Sequence, residues 1–259
     1  METVTLRAGE TEVDVVPERG AIVTRVAVAG RELLYLDGAT LADPSKNVRG
    51  GIPLLFPFAG RLVDDRLTVP TVATTMKQHG FGRQMPWHPR HGPRAADHLD
   101  LGLGADDATR AVYPYEFACH YRVQALARGV SLDLIVKNRG SAGMPIAPGW
   151  HPYFVCTDKR GVGADVAGWD PARLGDDVEF DFGLPLPRES RFDVPGVGGV
   201  RMTVSEGLRH LQVWSLPGKP FVCLEPFAGP ANWINTPGRD EVPGGGERRL
   251  AVTIELAPD

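Results

Sequence analysis

The chain has 259 residues, 42% of them hydrophobic and 23% charged, a balance that supplies a substantial core and argues against a disordered chain. No run of eighteen apolar residues occurs, and the start, METVTLRAGETEVDVV, lacks the basic and then apolar pattern of a secretory signal, so a cytoplasmic protein with no membrane partner is expected. The formal charge of -4 argues against nucleic acid as a partner, because binding a phosphate backbone draws on a surplus of Lys and Arg.

From the N-terminus, period-2 alternation of apolar and polar residues predicts short strands beginning near Val4, Val13, Ile22 and Leu33. Strands near Leu99 and Phe117 follow. Next, Val130, Leu132, Leu134 and Val136 share one face while Ser131, Asp133 and Lys137 lie opposite. Further strands are predicted near Met202, Leu211 and Phe221, and the stretch from Pro237 to Glu247, PGRDEVPGGGE, reads as a loop. The chain closes on Leu250, Val252, Ile254 and Leu256 along one face. Glycines and prolines, 31 and 23 in number, are scattered and mark turns, not one linker. No internal repeat is visible, so residues 1–259 are expected to form one all-β sandwich domain. Cys119, Cys156 and Cys223 lie far apart and outside any CxxC pair, which argues for buried thiols and against a disulfide framework or zinc ribbon.

Four segments carry polar residues that a plain sandwich core does not require: VRGGIPLLFPFAGR (48–61), QHGFGRQMPW (78–87), GWHPYF (149–154) and LEPFAGPANWINT (224–236). Within FVCLEPF, Glu225 alternates onto the face of Cys223 and Phe221, where burial would raise a carboxyl toward the range of a general base. A structural salt bridge at a strand end fits the same residue. His151 stands between Trp150 and Pro152, and the proline biases it to an extended backbone that fixes the direction of its ring. An imidazole suits proton donation near neutrality, although a histidine among aromatics also serves as a core residue. Trp87, Trp150 and Trp233 flank these segments and fit either stacking on a bound ligand or the core. Between Lys46 and Arg94, eight Lys or Arg stand against two acids, a local +6 that leaves -10 for the remainder. His88 and His91 form an HxxH pattern in a Pro-rich basic stretch with no third ligand nearby, so no metal is expected there.

In their order and approximate spacing, these segments and the closing GERRLAVTIEL resemble the aldose 1-epimerases, or mutarotases, and most of all their hexose-6-phosphate branch. The resemblance implies a galactose-mutarotase-like antiparallel β-supersandwich with its cleft on a concave sheet face. It also implies catalysis without metal or organic cofactor on a sugar or sugar phosphate, by a monomer or homodimer. Through it, Glu225 matches the general base, His151 the general acid, and His79 a second histidine that contacts the sugar near its ring oxygen. Arg49 and Arg83 match the phosphate clamp of that branch, Arg61 a position near the substrate pocket, and Lys77 stands in the same region. Two departures stand out. AGRL replaces the commoner Asn-Arg pairing before Leu62, and the acidic residue of sugar-specific mutarotases has no clear match, Asp170 and Asp176 being the candidates. The expected function is interconversion of hexose anomers, on a hexose 6-phosphate or alternatively a neutral aldose; the rival is a carbohydrate-binding sandwich without turnover.

Overall fold

A computed structural model describes residues 1–69, 72–90 and 95–257. The expected all-β architecture is what the chain adopts. Eight antiparallel strands form the largest sheet, in the order Gly163–Ala164, Glu189–Val194, Gly198–Val204, Glu247–Leu256, Gly129–Asn138, Phe117–Leu126, His98–Gly104 and His88–Pro89. Leu250, Val252, Ile254 and Leu256 are buried as their alternation predicts, and so are Val130, Leu132, Leu134 and Val136 on the neighbouring strand. A four-stranded meander covers Val4–Ala8, Thr11–Val16, Ile22–Val28 and Arg31–Glu32.

The site is built on a six-stranded sheet running Phe180–Pro185, His210–Ser215, Phe221–Phe227, Gly149–Trp150 and Leu54–Leu55, with Tyr153–Val155 also paired to Phe221–Phe227. One continuous apolar cluster takes side chains from this sheet, the eight-stranded sheet and the meander, including Leu224, Val213, Leu132, Met202 and Val13. Burying such a cluster is the dominant favourable term in holding the layers together.

The structure holds elements that the sequence reading does not place, three strands among them. Phe180–Pro185 and Glu189–Val194 are strands beyond those that the alternation predicts. The stretch read as a loop before the last strand contains a short strand, Asp240–Val242, paired with Met144–Ile146. All three cysteines are buried and free, as expected. No helix among the described residues is long and apolar enough to cross a membrane.

Candidate active site

The strand Phe221–Phe227 is buried along its whole length, because its neighbours cover both edges and the core covers one face. Val222 and Leu224 join the core, and the alternate residues Phe221, Cys223, Glu225 and Phe227 take the other face. On its far side the pairing is interrupted between Gly149–Trp150 and Tyr153–Val155, where His151 and Pro152 fall. Pro152 has no N–H to donate to a ladder, and the N–H of His151 turns to the carbonyl of Pro53 at 3.0 Å. That break puts the imidazole Nε2 3.3 Å from Oε2 of Glu225.

Aromatic rings hold His151 in place. Tyr153 stacks on it at 4.6 Å with an interplanar angle of 7°, and Trp214 meets it edge-on at 5.7 Å. Its Nδ1 is buried without a hydrogen-bond partner. His79 stands edge-on to His151 at 5.5 Å and accepts a hydrogen bond at Nδ1 from the N–H of Gly60, 3.0 Å away. Nε2 of His79 therefore carries the proton of the neutral ring and is free to donate. His79 adopts a positive φ of 70° and is followed by Gly80 at 64°; a Cβ on that glycine would lie 2.4 Å from the carbonyl oxygen of Phe56. Glycine is needed there for the loop to reach the cleft.

These groups open on a cleft of about 620 Å³ that Arg49, Arg61 and Arg83 also line. Arg83 is the deepest of the three. It donates from Nη2 to the carbonyl of Gln78 at 3.2 Å, while its Nε is buried without a partner. Arg49 and Arg61 are exposed at the mouth, with the Arg49 guanidinium 6.0 Å from the Trp214 ring. Lys77 is exposed and is not among the described residues lining the cleft; Lys46 lines it instead.

Burial pushes the Glu225 carboxyl well above its ordinary range, helped by the Asp181 carboxylate and opposed by Arg83. Burial, and then the Arg83 charge, push His151 down to about 3, and burial drives His79 well below its ordinary value. Both charged forms of the Glu225–His151 pair are thus disfavoured, and the pair holds one proton with no net charge.

Asp170 and Asp176 do not supply the acidic residue of the cleft. Asp170 accepts a hydrogen bond from the N–H of Ala172 at the start of a 3-10 turn, and Asp176 accepts one from the N–H of Lys159. Glu179 and Asp181 line the cleft instead. Phe180, Phe182 and Leu184 point into the core, and the same alternation sends Asp181 outward. Asp181 accepts a hydrogen bond from Gln212, and Glu179 one from Nε1 of Trp214 at 3.2 Å. Trp87 and Trp150 are core residues, Trp233 is half-buried, and Trp214 is the tryptophan that lines the cleft. His88 lies at the edge of the eight-stranded sheet; His91 falls outside the described residues.

The sequence reading pointed to no metal, yet donor atoms of His151, Cys223 and Glu225 lie within 4.8 Å of one another, all buried. Cys223 carried no signal beyond its alternation with Glu225.

Comparison with known proteins bears on the whole arrangement. The profile of a family described as aldose 1-epimerase matches residues 2–168. Glu225 lies beyond that stretch. The Slr1438 protein from Synechocystis sp. PCC 6803 superposes with a TM-score of 0.92 at 29% identity, covering 100% of this chain and 96% of that one. A galactose mutarotase related enzyme from Lactobacillus acidophilus shares the fold at a TM-score of 0.82 and 18% identity, covering 99% and 98%. A Cenchrus ciliaris protein provisionally named a glucose-6-phosphate 1-epimerase is 27% identical over 139 residues, 50% of this chain, and the match spans only 39% of that relative's length. The sandwich is thus a galactose-mutarotase-like one.

Proposed function

The chain belongs to the aldose 1-epimerase family, and on that premise we propose that it interconverts the α and β anomers of a hexose, with a hexose 6-phosphate as the preferred substrate. Membership implies an epimerase, an isomerase in reaction class. The observation that carries the reading is the buried Glu225–His151 pair, 3.3 Å apart, opening on a cleft with arginines at its mouth and wall.

Opening a hemiacetal ring requires a proton to leave the anomeric hydroxyl while another reaches the ring oxygen. Glu225 takes the first and His151 gives the second, so the C1–O5 bond breaks and an open-chain aldehyde forms. Rotation about C1–C2 and the reverse transfers close the ring on the other face. The pair starts as carboxylate and imidazolium and ends as carboxyl and imidazole, holding one proton throughout. Arg83 draws Glu225 toward its carboxylate but pushes His151 away from its imidazolium, so the sugar hydroxyls stabilise the charged form that burial disfavours. His79 donates through Nε2 toward the ring oxygen.

Arg83 and Arg49 support the phosphorylated substrate, since a guanidinium fork suits phosphate oxygens, and the name given to the Cenchrus ciliaris relative points the same way. A neutral aldose is the second reading. It is favoured by Glu179 and Asp181, carboxylates that accept hydrogen bonds from hydroxyls and repel a phosphate placed against them.

Anomer equilibration followed by NMR tests both. Glu225→Gln and His151→Ala, each shown to be folded, should slow it by about a hundredfold or more. Near-normal turnover in either variant removes that residue from the mechanism. A hexose 6-phosphate should exceed the free hexose in kcat/KM; the reverse order puts the neutral sugar first.

A further inference from the structure

We propose that His151, Cys223 and Glu225 form a three-ligand site for a thiophilic divalent cation such as zinc or cadmium, and that an ion held there shuts off anomer interconversion. Two ligands of one tetrahedral ion stand roughly 3.3 to 3.8 Å apart, given metal–ligand bonds of about 2.0 to 2.3 Å. His151 Nε2 and Glu225 Oε2 already stand 3.3 Å apart. The sulfur of Cys223 lies within 4.8 Å of both of the other donor groups, so a shift on the order of 1 Å completes the set.

Chemistry and access agree with this geometry. A thiolate and a carboxylate neutralise a doubly charged ion, which lets it enter a buried site, and binding displaces two protons, the thiol's and the one held by the Glu225–His151 pair. His151 and Glu225 both line the cleft, so the ion enters by the substrate's route. The imidazole already presents Nε2, the nitrogen nearest Glu225, to the ion's place, so the ring stacked on Tyr153 need not rotate to meet it. Sulfur selects soft ions over magnesium or calcium. The ion would occupy the lone pairs that move protons, so it competes with the sugar and inhibits. This consequence rests on the roles given above to Glu225 and His151; the binding itself does not.

The test uses the whole chain, stripped with a chelator, and cadmium or zinc as the probe. Without any sugar, cadmium should bind one ion per chain and produce a thiolate-to-metal charge-transfer band in the ultraviolet. With a hexose or hexose 6-phosphate, the same ion should abolish equilibration, magnesium should have no effect, and a chelator should restore the rate. Cys223→Ala and Cys223→Ser, checked for folding by circular dichroism, should keep equilibrating the sugar, lose the band and become at least about tenfold less sensitive to cadmium. A wild type with no band overturns the site, as does a folded Cys223 variant as sensitive as wild type, which would place the ion elsewhere. Activation by the ion overturns the inhibition. A chain that shows the band but equilibrates no sugar keeps the metal site and loses the proposed function.

Discussion

Taking Glu225 and His151 out of water moves their protons in opposite directions, and the sign of each shift has a measurable consequence. His151 has a folded value of about 3 against an ordinary 6.5. Its contribution to stability is complete above 6.5 and is lost as the pH falls through 3. Glu225 is held above its ordinary 4.5, so its contribution is complete below 4.5 and is lost as the pH rises through the raised value. Glu225→Gln removes that ionisation. The variant should gain on the wild type as the pH rises, reaching about 0.5 to 2 kcal/mol at about pH 8, the scale on which removing strained active-site groups stabilises proteins. Denaturant unfolding of both proteins at mildly acidic and mildly alkaline pH measures this, and a difference independent of pH would mean a carboxyl in contact with water. At this scale the sequence was informative for Glu225, His151, His79 and Arg83, which lie in distinctive segments and meet at one cleft. It was silent on Cys223, whose place beside His151 depends on how two separate strands pair, and it pointed to Asp170 and Asp176, which bind backbone N–H groups in turns.

Strands were legible wherever one face meets the core and the other meets solvent, as in Leu250 to Leu256 and Val130 to Val136. Phe180–Pro185 has the same alternation, but Gly183 and Pro185 make it read as a turn, and it follows a run of Asp and Gly. Proline is tolerated there because the strand lies at a sheet edge. Missing that strand is what hid Glu179 and Asp181. The pairing of Asp240–Val242 with Met144–Ile146 is invisible for another reason, since nothing local marks a partner nearly a hundred residues away. The spacing of strands also sets the reacting geometry. Gly149 pairs with Phe227, and a Cβ there would lie 2.5 Å from the Phe227 ring and 2.9 Å from the carbonyl oxygen of Pro226. Gly149→Ala should push the segment leading to His151 away from the strand bearing Glu225. The expected result is a stability loss of about 1 to 3 kcal/mol and a kcat lower by about tenfold or more, since small misplacements of reacting groups are expensive. A folded variant with unchanged kcat would show that this close approach does not set the 3.3 Å separation.

At the scale of the whole molecule, the excess of basic residues between Lys46 and Arg94 divides once the chain is folded. Lys46, Arg49, Arg61 and Arg83 line the cleft. Arg66 and Lys77 are exposed elsewhere, Arg90 lines a separate groove, and Arg94 falls outside the described residues. The acids Glu179 and Asp181 stand in the same cleft as the four cations, so the local +6 of the sequence overstates the positive field that a ligand meets. Depth then decides which cation matters. Arg49 is exposed, and an exposed charge is screened and worth at most about 1 kcal/mol. Arg83 is largely buried, with its Nε unpartnered, and a charge-assisted hydrogen bond from such a group is worth about 1.5 to 3 kcal/mol. For a hexose 6-phosphate, Arg83→Ala should therefore lower kcat/KM by roughly ten- to a hundredfold beyond its effect on the free hexose, and Arg49→Ala by only a few-fold. Raising the salt should reduce the residual advantage of the phosphorylated sugar in the Arg83 variant, where the exposed mouth cations remain, because screening acts on exposed charges. The measurement is the ratio of kcat/KM for the two sugars in wild type and both variants across ionic strength. If Arg83→Ala lowers both sugars equally, the guanidinium serves the sugar ring or the Glu225 carboxylate and not a phosphate, and the neutral aldose becomes the better reading.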